Sequence, residues 1–279
     1  MSSMTILDFA KKNGHRIWDG QHYKNCMSQL TRMNGFEDFS VRSMSDIKSA
    51  SIYEFIDHLS EQGLTEATLN RYISSVSSIL KLAVDMEYID HVPKIRWFQE
   101  DTGRPRYFSK YEVARLVDFF ISAGKLWIND YNMLSLNSGM RLGEIKGISN
   151  PTAKTIGEIT GCGNFVYLKN TKNGDERLVP LNKHAKKALR NLDYKPIKFF
   201  NHRKFYDLWL EARETIAPND ENFVFHVNRH TCATRLAMEF NTPTTVLCSI
   251  MGWKNPKIAM KYVHPDANSI ASVMSKLED

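Results

Sequence analysis

A break in helical periodicity around FQEDTGRPRYFS, residues 98–109, constrains this chain more than any other feature. Apolar residues recur at helical spacing on both sides, whereas Pro93, Gly103 and Pro105 interrupt regular backbone between them. A chain of 279 residues is long enough for two domains, each burying its own core. The expected organisation is a helical unit over 1–92, a linker over 93–106 and a second unit over 107–279.

In the first unit, LTEATLNRYISSVSSILKLAVDM places Leu69, Tyr72, Ile73, Val76, Leu80 and Ala83 on one helical face, with Thr65 as N-cap and Glu66 in the first turn. The opposite face offers Asn70, Arg71, Ser74, Ser75, Ser78 and Lys81. These are short polar and basic groups suited to a phosphate backbone, and equally to an ordinary solvated face. Residues 45–62 read as a second amphipathic helix. In the second unit, helices are expected over 109–122 and 127–147. A β-hairpin follows, in which Phe165, Tyr167, Leu178 and Val179 flank the Asn173-Gly174 turn. The fold class is therefore mainly α with a small β-sheet or hairpin, the second unit being α+β.

Charge separates the two halves. Residues 1–106 hold 13 Lys+Arg against 14 Asp+Glu, and residues 107–279 hold 24 against 17, so the formal +6 resides in the second half. Such a surplus suits a polyanionic partner, with salt-dependent binding. In the linker, Arg104 and Arg106 would suit a strap along that partner. The four cysteines form no CxxC pair, and a reducing cytosol is expected. No run of about 18 apolar residues and no signal-peptide order occurs, so no membrane partner is expected.

The residues able to do chemistry cluster late. HVNRHT supplies His226, Arg229 and His230, MGW supplies Trp253, and KYVHP supplies Tyr262. Fixed donors of this kind can hold an anion while a phenol attacks it. Upstream, SGMRLGE puts Glu144 three residues after Arg141, where a carboxylate can orient a guanidinium. Lys172 precedes the hairpin turn. Taken singly, each has a structural reading: a surface ion pair, a solvated lysine, a satisfied histidine, a core tryptophan. A zinc site is disfavoured because Val227 stands where HExxH needs glutamate. Neither metal nor cofactor is expected.

Taken together, these motifs resemble those of the tyrosine recombinase (phage integrase) family from about residue 20 onward. That family's TGLRxxE is similar to SGMRLGE here, its hairpin Lys before a VPL strand to Lys172 before Leu178–Leu181, and its HxLRHTxAT to HVNRHTCAT. Its LGH is similar to Met251-Gly252-Trp253, with the nucleophile nine residues later at Tyr262. Trp253 replaces the commoner His; its Nε1–H donates but takes no proton. Asn228 stands where an apolar residue is usual.

The resemblance implies a helical core-binding domain, a catalytic domain, and cleavage of double-stranded DNA through a 3′-phosphotyrosyl intermediate. Tyr262 would be the nucleophile. Arg141, Arg229 and Trp253 would hold the phosphate, Lys172 would be the acid, His226 would assist proton transfer and Glu144 would support Arg141. Asn70, Arg71, Ser74, Lys81, Arg104 and Arg106 are the expected DNA contacts.

The tail spaces Ile270, Val273, Met274 and Leu277 on one helical face, which from sequence suits its own domain and a neighbour equally; the resemblance further implies a homotetramer on paired sites with this tail docking in trans. Accessory DNA-bending proteins, direct recognition of core sites and a cytoplasmic, nucleoid-associated location belong to the same expectation. The element served would be a phage or other mobile element. A type IB topoisomerase-like relaxing enzyme and a catalytically silent DNA-binding protein of the same fold are the competing readings.

Overall fold

A computed structural model describes residues 4–100, 105–171 and 176–263, together with Ser275. The chain divides into two compact units, Met1–Thr102 and Gly103–Asp279. The first is helical: α1 (Ile6–Asn13), α2 (Gly20–Asn34), α3 (Ser49–Glu61) and α4 (Glu66–Asp85). Thr5 caps α1 by accepting from the Asp8 backbone N–H at 3.2 Å. The expected stripe of α4 from Leu69 to Ala83 is buried, sharing one core with Phe9, Leu30, Phe39 and Phe55.

The polar face of α4 is divided. Arg71, Ser74 and Lys81 are exposed, but Asn70 is buried and is removed from the expected DNA contacts. Residues 95–98, inside the expected linker, return along α4, and Ile95 and Phe98 pack on its core. The Asn70 amide pairs with the Phe98 backbone in both senses, receiving its N–H at 2.9 Å and donating to its C=O at 3.0 Å. It also donates to Glu100 at 2.9 Å. Ser75 is likewise buried, donating to Gln29 at 2.5 Å.

The second unit comprises α5 (Lys110–Ser122), α6 (Leu126–Ser138) and α7 (Leu142–Gly147). An antiparallel sheet follows, ordered β1 (Ile156–Thr160), β2 (Phe165–Lys169) and β3 (Arg177–Pro180). Then come α8 (Lys183–Asn191), α9 (His202–Ile216), α10 (Val227–Met238), α11 (Thr244–Met251) and α12 (Pro256–Met260). Helix α6 is the central element, packed against α5, α8 and α10 and buried on several sides. An aromatic cluster of Phe108, Phe120, Phe205, Trp209, Phe223 and Phe225 fills the space beside α9.

Two expectations change here. The helix expected over 127–147 breaks at Gly139, which adopts φ 68°. A Cβ there would lie 2.7 Å from Met251 Sδ, so both the conformation and the approach require glycine. Arg106, expected on DNA, is partly buried over the Phe108 and Phe223 rings and paired with Asp220 at 2.9 Å and with Glu112. It braces the second unit. Arg104, Lys172, the Asn173-Gly174 turn and the tail bearing Ile270, Val273, Met274 and Leu277 lie outside the described residues. No helix among the described residues is long and apolar enough to cross a membrane.

Candidate active site

The break at Gly139 starts α7 afresh, and Arg141 becomes its N-cap in an extended conformation. Glu144, three residues on, accepts from the Arg141 backbone N–H at 2.8 Å and from Arg141 Nη1 at 2.7 Å. The same carboxylate receives both Nη groups of Arg177, at 3.0 and 2.9 Å. Four donors thus fill the roughly four lone-pair sites of one carboxylate. Burial pushes the Glu144 carboxyl up, but the Arg177 fork, and then Arg141, overcome that and hold it at about 2.

Arg229, on the first turn of α10, is 2% exposed. Its guanidinium donates to the carbonyls of Gly139 and Met251, joining the helix break to the end of α11. Burial, then the charge of Arg141, pulls its pKa down to about 9, which leaves it charged at neutral pH. Among the described residues, Arg141, Arg177 and Arg229 surround a single carboxylate, so the arginines outnumber it there. A cleft of about 530 Å³ opens alongside, lined by Arg177, Gly252, Trp253 and Lys254 among others.

Tyr262 follows α12 and is 4% exposed. Its ring stacks on Trp253, with centroids 5.0 Å apart and 13° between planes, and on His230 at 5.9 Å and 23°. Its hydroxyl hydrogen-bonds to His230 Nδ1 at 2.5 Å. With the phenol as donor, the imidazole carries its own proton on Nε2. Burial raises Tyr262 to about 12, with Arg229 opposing. Burial, then the charges of His226 and Arg229, lowers His230 to about 4. His226 is exposed and meets the His230 ring edge-on at 4.8 Å. Direct contact with the Tyr262 proton, expected of His226, is therefore made by His230.

The described residues thus bring Arg141, Glu144, Arg229, Trp253 and Tyr262 into one region of the second unit, with His226 beside them. Sequence reasoning missed Arg177 and left His230 as a satisfied histidine. A signal for Arg177 existed. Strand alternation puts it on the same face as buried Val179, and a cation on a buried strand face demands a carboxylate. Thr231 of the same motif is structural, accepting from the Phe108 N–H at 2.8 Å. No group of three metal-binding side chains occurs among the described residues.

Residues 106–269 match the profile of the phage integrase family, and residues 6–97 match the phage integrase SAM-like domain. The chain belongs to the phage integrase family. This family member is 22% identical over 205 residues to the transposase from transposon Tn916 of Enterococcus faecalis, an alignment covering 68% of this chain and 50% of the relative. It therefore spans about half the length of that relative. Its fold is that of the Tn1549 transposon integrase in complex with a circular intermediate DNA. The TM-score is 0.74 at 19% identity, covering 98% of this chain and 100% of that one. A lambda integrase tetramer bound to a Holliday junction matches with TM-score 0.73 at 17% identity, covering 93% of this chain and 76% of that one.

Proposed function

We propose that this chain is a site-specific DNA recombinase of a phage or other mobile element, cleaving and rejoining double-stranded DNA through a 3′-phosphotyrosyl intermediate. The observation that carries the reading is a tyrosine hydroxyl bonded to an imidazole, beside an arginine cluster in excess over its carboxylate. The transposon enzymes and DNA-bound integrases to which the chain is similar support it.

In the proposed reaction the Tyr262 oxygen bonds to phosphorus and the 5′-oxygen departs with a proton from Lys172. Arg141, Arg229 and Trp253 hold the non-bridging oxygens and offset charge developing in the transition state. His230 Nδ1 takes the phenolic proton, and His226 stands behind it. Burial raises the Tyr262 phenol and lowers the His230 imidazole, so in the free protein the proton stays on the phenol. The proton therefore moves only as the P–O bond forms and the phenolic oxygen loses basicity. Until then the hydroxyl stays neutral and sheltered. Because the phosphotyrosine conserves the energy of the phosphodiester, rejoining needs no ATP.

Arg71, Ser74 and Lys81 are proposed DNA contacts on the exposed side of α4, together with Arg104. The domain roles follow the family: a core-binding domain over 1–92 and a catalytic domain over 107–279. Strand exchange requires several protomers on paired sites, and a homotetramer with the C-terminal tail docking in trans is the proposed assembly. A nicked suicide DNA substrate carrying the element's own site tests the reading. Wild type should form a covalent protein–DNA adduct that Tyr262→Phe lacks. Tight binding without any adduct would make the chain a silent DNA-binding protein. An adduct with supercoil relaxation but no exchange between two sites would make it a topoisomerase-like enzyme.

A further inference from the structure

We infer that Arg177 is a positioning residue for phosphodiester cleavage, bracing the Arg141–Glu144 pair against the Gly252–Trp253 turn. The inference rests on the cleavage reading above. Arg177 lies on the inward face of β3, and its side chain is only 8% exposed. One end of it forms the two-pronged contact with Glu144. Along its length it supports Gly252: a Cβ on that glycine would fall 2.8 Å from Arg177 Cδ and 3.0 Å from Cζ. Gly252 holds φ 65° at the end of α11, immediately before Trp253. A single side chain thus spans from the start of α7 to the turn that carries Trp253.

This arrangement divides the donors usefully. Glu144 spends one lone pair of each oxygen on Arg177 and receives Arg141 through its backbone N–H and Nη1 alone. Arg141 Nη2 and Nε are thereby left for phosphate oxygens. Without Arg177, the carboxylate has two empty sites, and the mobile partner that can fill them is the remainder of the Arg141 fork. Arg141 would then turn inward, away from the phosphate. Arg177→Met keeps the stem that lies against Gly252 and removes only the fork.

The test is single-turnover adduct formation by the full-length chain on two suicide substrates. One carries the ordinary scissile phosphate, and the other a methylphosphonate, in which a neutral methyl replaces one charged non-bridging oxygen. On phosphate, Arg177→Met should slow adduct formation about 10²-fold at saturating protein with little change in DNA affinity. On methylphosphonate, where the charge that Arg141 must hold is absent, Arg177→Met and wild type should react alike. Arg177→Lys, which keeps the charge but not the fork, should fall between them on phosphate.

Equal slowing on both substrates, or a wild-type rate on phosphate, would overturn the inference. If Arg177→Met does not fold, Arg177→Lys carries the same comparison: slower than wild type on phosphate and equal to it on methylphosphonate. A wild type that forms no adduct on either substrate would instead overturn the cleavage reading, and this inference with it.

Discussion

Replacing Glu144 with glutamine keeps the side chain's size and removes the carboxylate that pairs with Arg141 and Arg177. The carboxyl is held at about 2, against 4.5 in an unfolded chain. A depressed carboxyl stabilises the folded state above its unfolded pKa, and that contribution disappears as pH falls through 4.5 towards 2. The shift corresponds to about 3 kcal/mol at neutral pH, with about 1 kcal/mol already lost by pH 4. Because the side chain is 4% exposed, solvent screening discounts little of this. Leaving two guanidinium groups without their carboxylate should bring the total cost at pH 7 to about 3–5 kcal/mol. Urea unfolding, read by hydrogen exchange in α10, measures the difference between wild type and Glu144→Gln. That difference should be large at pH 7 and shrink steadily below pH 4.5. A difference independent of pH would show that the carboxylate is not held by these cations in the way described.

Other perturbations act on separate parts of the molecule. Asn228 is fully buried and neither amide atom has a partner among the described residues. Asn228→Leu should therefore stabilise the second unit by about 1–3 kcal/mol, and a lower melting temperature would contradict this. Asn70→Ala should cost the first unit about 1–3 kcal/mol by stranding the Phe98 backbone. Arg71→Ala should leave stability unchanged and lower the salt slope of DNA binding by about 1, and the opposite pairing of effects would refute the placement of both. His230, lowered to about 4, binds a proton in the unfolded chain but not in the folded one between pH 6.5 and 4. Stability should thus decline as pH falls through that window, and His230→Gln should remove that decline. Adduct formation should persist to about pH 5 and fall only as His230 protonates.

Much of the site was legible because its spacing is local. Arg141 and Glu144 are three apart, and His226 and Arg229 are likewise three apart, so the motifs that carry the family resemblance lie in short stretches of sequence. What escaped depends on distant segments. Periodicity in α4 shows one apolar face, but Asn70 is buried from the other side by residues 95–98. Arg106 looks like a linker charge until Asp220, far along the chain, closes on it. The 127–147 pattern conceals the stop at Gly139, where the backbone turns left-handed and Met251 of another helix leaves no room for a side chain. Strand β1, IGEIT, is too short and too weakly alternating to stand out before β2 pairs with it. Arg177 was readable only by asking which face of β3 is buried. His230 could be separated from His226 only by the position of the Tyr262 hydroxyl.

Tyr262 is the group proposed to become joined to DNA. Wild-type protein trapped on a nicked suicide substrate, digested with nuclease and protease, allows the linkage to be located by mass spectrometry. The expected species is a nucleotide attached through its 3′-phosphate to the peptide containing Tyr262, with no such species from Tyr262→Phe. A linkage on any other residue, or one through a 5′-phosphate, would contradict it.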